Sequence, residues 1–184
     1  MSVATAGRRQ TAWGHILYVL RDNPVTLIAF AMFALLIVMA VFGPMLVPYD
    51  PLATQASVAL QPPSWAHWFG TDNLGRDVFS RVVVATRLDL TISVAAVALS
   101  FVAGSVLGGL AGYYGGWLDA ALSRILDTIM AFPLFVLAMG IVAAMGNTIE
   151  NIIYATAIIN LPFYARLGRA EVHMRREAGF ARAD

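Results

Sequence analysis

Four stretches of the 184-residue chain contain no Asp, Glu or Arg, and there is no Lys at all, so they are wholly uncharged. They cover residues 23–49, 90–118, 128–149 and 151–165, with lengths of 27, 29, 22 and 15. A helix rises about 1.5 Å per residue, so crossing a hydrocarbon core of roughly 30 Å takes about 20 residues. The first three runs are long enough. Within 25–42 there are eleven Val, Leu, Ile or Phe, which favour insertion by roughly 3–7 kcal/mol. The whole chain is 59% hydrophobic and only 12% charged, and a soluble domain this small could not hide that much apolar surface from water. The pattern predicts an all-α integral membrane protein with about four transmembrane helices and short amphipathic helices between them.

The predicted organisation is a tail at 1–24, a first span at 25–47, an external segment at 48–89, and a helical membrane portion at 90–184. That last portion holds spans near 91–112, 128–146 and 151–167, followed by a cytoplasmic segment at 168–184. The fourth run is short and includes Asn160 and Pro162. It reads either as a span packed among other helices or as a re-entrant segment, and the span is adopted here. A cleaved signal peptide is the alternative for the first run. The long preceding segment and the following Gly43-Pro44 favour a retained helix. Arg8, Arg9 and Arg21 lie before the first span, and Arg166, Arg169, Arg175, Arg176 and Arg182 lie after or at the end of the fourth. The positive-inside rule then puts both termini in the cytoplasm and 48–89 outside.

Trp13, Ile16, Leu17 and Leu20 recur at helical spacing before Asn23-Pro24, so the tail reads equally as an amphipathic helix on the inner leaflet or as loose chain. The external segment opens Pro-rich, then places Trp65, Trp68 and Phe69 where rings suit a water–lipid boundary. An amphipathic helix is expected at 77–88, capped by Thr71 or Asp72. Its start, with Gly70, Thr71, Asp72, Gly75, Arg76, Asp77 and Arg81, mixes carboxylates with guanidiniums. Spacing alone gives these residues no His partner and no hydroxyl–base arrangement, so they read as an ion-paired helix start and not as a catalytic group.

Ser100, Gly104, Gly108 and Gly112 place a small residue at every fourth position of the second span. On a helix they form a smooth groove that admits another helix at backbone distance. Pro133 and Pro162 are expected to kink the later spans. No ionisable residue falls inside the uncharged runs, which argues against a carrier driven by its own protons or sodium. Having no Lys and no Cys, the chain has no phosphate-loop lysine, no Schiff base, no disulfide and no thiolate nucleophile. His15, His67 and His173 are scattered and form no metal-ligand pattern. No catalytic, cofactor or metal site is expected, and the Arg-rich end, which would suit anionic lipid or nucleic acid, reads better as orientation and docking.

Four strings carry a family resemblance: HWFGTDNLGRDVFSR at 67–81, GGLAGYYGGWLD at 108–119, Ala131-Phe132-Pro133, and Tyr164-Ala165-Arg166-Leu167. From about residue 13 onward the chain resembles the C-type permease subunits of bacterial ATP-driven oligopeptide, dipeptide and nickel importers. The resemblance implies a six-span architecture of which this chain holds the first two-thirds. It implies a heterodimer with a second permease subunit, two cytoplasmic ATPase subunits and an external solute-binding protein, in the inner membrane. It also implies an ATPase-docking motif after the fourth span. The matching positions are Arg176, Glu177, Ala178, Gly179, Phe180, Ala181, Arg182 and Ala183. Here Arg182 stands where the motif has Glu and Asp184 where it has Ala. The sequence ends within that coupling segment, so the 184-residue form is expected not to transport alone. A non-transporting scaffold or an inactive truncated paralog is the alternative. Peptides are the leading substrate class, with ATP hydrolysis in a separate subunit.

Overall fold

The computed structural model describes residues 23–180, the last five by backbone alone. Five α-helices run in order: α1 Pro24–Leu46, α2 Val78–Tyr114, α3 Gly116–Ala131, α4 Leu134–Met145 and α5 Ile149–Phe180, with a short 3-10 turn at Ala56–Val58. The chain divides into two compact units, Met1–Leu88 and Asp89–Asp184.

In the first unit, α1 begins where sequence chemistry places it. Asn23 Oδ1 accepts from the backbone N–H of Val25 at 3.0 Å and of Thr26 at 3.4 Å, and Pro24 fills the first turn, where a missing N–H costs nothing. At 23 residues the helix is about 35 Å long. Its apolar side chains from Val25 to Leu46 are largely exposed, as expected of a surface that meets lipid, not water. Near its end, Gly43 is buried against α2: a Cβ there would lie 3.0 Å from the Val83 carbonyl oxygen. The intervening segment folds back on itself. Gln55 N–H donates to Leu74 O at 3.0 Å, Leu60 N–H to Asp72 O at 3.0 Å, and Thr71 N–H to Gln61 O at 3.1 Å.

The helix expected at 77–88 is not a separate element. It is the first part of α2, which continues for 37 residues without a break. Arg87 and Asp89 interrupt the apolar pattern but not the backbone hydrogen-bond ladder, and charge alone does not end a helix. The cap is also different from expectation, since α2 starts on Asp77 and not on Thr71 or Asp72.

The second unit contains the rest of α2 and α3 to α5. Gly115 and Gly116, at φ +65° and +60°, occupy the left-handed region and turn the chain between α2 and α3. The sequence between spans two and three is therefore mostly helix, where a connection was expected. The run assigned to a third span is broken at Phe132-Pro133, and α3 and α4 meet at 97°. Proline's missing N–H and its restriction of the preceding residue explain the break. Pro162, by contrast, sits buried inside a continuous α5. Among the described residues two helices, α1 and α2, are long and apolar enough to cross a membrane, or three segments if the bent α3–α4 pair counts as one. The fourth expected span lies in α5, which is not among them. The tail helix expected around Trp13–Leu20 lies outside the described residues.

The Gly75 turn gives a direct test of the first unit's folding. Gly75 has φ +72° and a Cβ there would fall 1.9 Å from the Gln55 carbonyl oxygen. Gly75→Ala is expected to open residues 47–77, seen as faster limited proteolysis there with α1 left intact. Unchanged cleavage would contradict the turn.

Candidate functional site

The string at 67–81 folds into a small polar knot at the start of α2. Asp77 is its centre, with a side chain only 2% exposed. One carboxylate oxygen, Oδ2, accepts from Ser80 N–H at 2.8 Å and from Ser80 Oγ–H at 2.7 Å, which is N-cap chemistry at the third helical residue. The other, Oδ1, lies 2.9 Å from His67 Nδ1. The ring of Tyr49 stacks on His67 at a centroid distance of 4.8 Å. His67 is thus the partner that spacing did not reveal, because the pair is ten residues apart and joined only by the turn at Gly70–Gly75. The Ser80 hydroxyl is held by the carboxylate, and the histidine sits on that carboxylate's far oxygen. This arrangement has no base on a nucleophile and serves to fix geometry.

Asp72 organises the other half of the knot. Its Oδ1 accepts from Leu74 N–H at 2.9 Å and Arg76 N–H at 3.0 Å, while Oδ2 pairs with Arg76 Nε at 2.8 Å and Arg81 Nη1 at 2.5 Å. Thr71 is buried, donating its hydroxyl to Val58 O and accepting from Gln61 N–H. Gly70, at φ +72°, closes against the Gln61 carbonyl. Burial pushes the Asp72 carboxyl up, but the backbone N–H groups of Arg76 and Leu74 and the Arg76 guanidinium outweigh it and bring the pKa down to about 2. Asp77 is likewise lowered overall: burial raises it, and the Ser80 and His67 hydrogen bonds more than offset that.

In the second unit the small-residue groove of α2 lies on α5. Ser100 Oγ donates to Ala157 O across the interface at 3.0 Å, alongside its own-helix bond to Ala96 O at 2.7 Å. A Cβ on Gly104 would come 2.8 Å from Tyr164 Cβ, on Gly108 1.9 Å from Ala165 O, and on Gly112 2.8 Å from Arg169 O. From the opposite side, Gly168 faces the backbone of Ser105. The two backbones therefore touch over about three turns. Charge pairs then tie α5 to α3: Arg166 Nη2 to Asp127 Oδ1 at 2.7 Å, and Arg169 to Asp119 Oδ2 at 2.5 Å and Ser123 Oγ at 3.1 Å. These pairs were not legible beforehand, since their members are 39 to 50 residues apart. Asn151 joins α5 to α4 by donating to Met145 O at 2.8 Å and Gly146 O at 3.0 Å, the last carbonyls of α4.

Of the expected docking segment, Arg176, Glu177, Ala178, Gly179 and Phe180 form the end of α5. Ala181, Arg182 and Ala183 lie outside the described residues. Among the described residues no group of three or more His, Asp or Glu is placed to hold a metal ion.

Long helices with exposed apolar faces, and a close glycine seam in the second unit, define a multi-pass membrane protein. The comparisons place it more closely. Residues 104–183 match the binding-protein-dependent transport system inner membrane component, and residues 11–63 match the N-terminal TM domain of oligopeptide transport permease C. The dipeptide transport system permease protein of Alkalihalophilus pseudofirmus is 40% identical over 93% of this chain and 56% of its own length. The nickel transport system permease protein of Escherichia coli K12 is 38% identical over 85% of this chain and 56% of its own. The glutathione transport system permease protein of Pectobacterium atrosepticum is 43% identical over 73% and 45%. The chain thus carries two domains of the binding-protein-dependent transport permeases, and its relatives at about 40% identity over most of its length are dipeptide, glutathione and nickel transport permeases. It spans about half the length of the relatives it matches.

Two outcomes test this geometry. Gly108→Ala should weaken the α2–α5 contact and lower the thermal midpoint in detergent by several degrees. Gly109→Ala, whose Cβ would meet only a Val172 methyl at 3.7 Å, should change it little. Equal effects would contradict the seam. The lowered Asp72 pKa gives a pH test. The knot's contribution from Asp72 is full above its ordinary value of 3.8 and is lost as pH falls toward about 2. Pepsin should cut 47–77 faster over that interval, and Asp72→Asn should reduce the pH dependence of cleavage.

Proposed function

We propose that this chain is a permease subunit of an ATP-driven, binding-protein-dependent importer in the bacterial inner membrane, with peptides as the leading substrate class. The carrying observation is that two segments of one permease family, 11–63 and 104–183, occur in order on a chain whose helices are long and apolar. In this reading the uncharged part of α5 crosses as a fourth span, held among α2, α3 and α4. Its polar Asn160 is satisfied by Thr156 O at 2.8 Å, which suits a helix surrounded by protein.

The subunit pairs with a second permease and receives ligand from an external solute-binding protein. Two cytoplasmic ATPases supply the energy. Their closure is transmitted through 168–184 to α5, and the α2–α5 seam carries the displacement onward as access alternates between the two faces. Phe180 is the proposed anchor, because a buried aromatic carries a large share of docking energy. No step of this mechanism requires bond-making chemistry in the chain itself.

Topology is directly testable, because the chain has no Cys and any single introduced thiol reports alone. Ala6→Cys and Ala183→Cys should resist a membrane-impermeant maleimide added outside, and Ser64→Cys should react. Labelling of residues 6 and 183 from opposite faces would overturn the reading.

A further inference from the structure

We propose that the face of α5 just beyond its uncharged run is a binding site for the phosphate headgroup of an anionic phospholipid. Arg166, Arg169, Ala170, His173 and Met174 line a cleft of about 380 Å³, within the range of small-ligand pockets. Their spacing of i, i+3, i+4, i+7 and i+8 puts them on one helical face. The cleft combines two guanidiniums and an imidazole with an apolar Ala and Met, a lining that matches a charged headgroup on an acyl chain. Its position supports the same ligand. The uncharged run 151–165 ends at Arg166, so the cleft lies where hydrocarbon gives way to headgroups if that run is in the bilayer.

The two arginines keep donors in reserve. A guanidinium has five N–H groups. Among the described residues Arg166 commits one to Asp127, and Arg169 commits one each to Asp119 and Ser123. Both side chains remain partly exposed, Arg166 at 49% and Arg169 at 38%. Asp127 and Asp119 fix the forks in place and also compete with an incoming anion for them. This competition makes the site unusual in its response to substitution, because the two members of one ion pair should act in opposite directions.

This inference rests on the membrane placement of residues 151–165 proposed above, and the test separates the two. The 184-residue chain is reconstituted in phosphatidylcholine nanodiscs containing a minor fraction of phosphatidylglycerol. Retained lipids are then counted by native mass spectrometry. The expected result is preferential retention of phosphatidylglycerol, increased by Asp127→Asn and reduced about fivefold by Arg166→Gln, from the roughly single-arginine attraction of a charged surface. Both substitutions break the same pair, so a purely structural effect would move retention in one direction. Equal or absent effects with phosphatidylglycerol still retained would overturn the site and leave the membrane placement standing. Displacement of the lipid by excess inorganic phosphate alone would assign the cleft to a free anion and overturn the lipid proposal. Retention of no phospholipid of either kind would overturn the placement and the site together.

Discussion

Hydrocarbon offers no partner to a backbone N–H or C=O, and this one constraint shapes every part of the chain. Each apolar run must satisfy its peptide groups internally, which leaves helices as the available solution for a chain without strand-forming alternation. Charges are kept out of the apolar runs, though several stand inside the long helices, as Arg87 and Asp89 do in α2. Several of them are paired: Asp72 with Arg76 and Arg81, Asp127 with Arg166, Asp119 with Arg169. Apolar side chains remain exposed along α1 for the same reason, since their solvent is lipid. Between apolar helices in lipid the hydrophobic effect gives little attraction, so close packing and polar contacts must hold them.

In the second unit that task falls on α5. It meets α2 through glycines that bring the two backbones into contact, α3 through two arginine–aspartate pairs, and α4 through Asn151 on its terminal carbonyls. These contacts differ in kind. The glycine seam is close backbone contact over a long surface, with one hydrogen bond across it from Ser100 to Ala157 O. The ion pairs and the Asn151 caps fix register at discrete points. The polar knot in the first unit is different again. There a nearly buried Asp77 ties a helix start, a histidine and a serine into one rigid junction.

Much of the helical character was legible in the sequence because it follows from composition. Charge-free runs of about 20 residues announce themselves, and the Ser100–Gly112 spacing marks a close-packing face without further information. The errors have physical sources. Arg87 and Asp89 suggested a boundary inside what is one helix, because charge was read as interruption when only proline or an unsatisfied backbone would interrupt. Asp119, Arg124 and Asp127 made α3 look like a connection, although Asp119 and Asp127 are what bind it to α5. Pro133 was read as a kink and is a full break. The His67–Asp77 and Arg166–Asp127 pairs had no local signature, since turns and helix packing create them. Pattern within one element was readable, and juxtaposition between elements was not.

The contact between α2 and α5 is the point on which the second unit stands, and it can be measured in a native membrane. Exposed Phe101 and half-buried Tyr164 meet edge to face across it at a centroid distance of 5.7 Å. In the Cys-free chain, Phe101→Cys with Tyr164→Cys should be joined within one molecule by a short bis-thiol reagent, giving a shifted monomer band. Failure to join while each thiol alone still reacts would contradict the account.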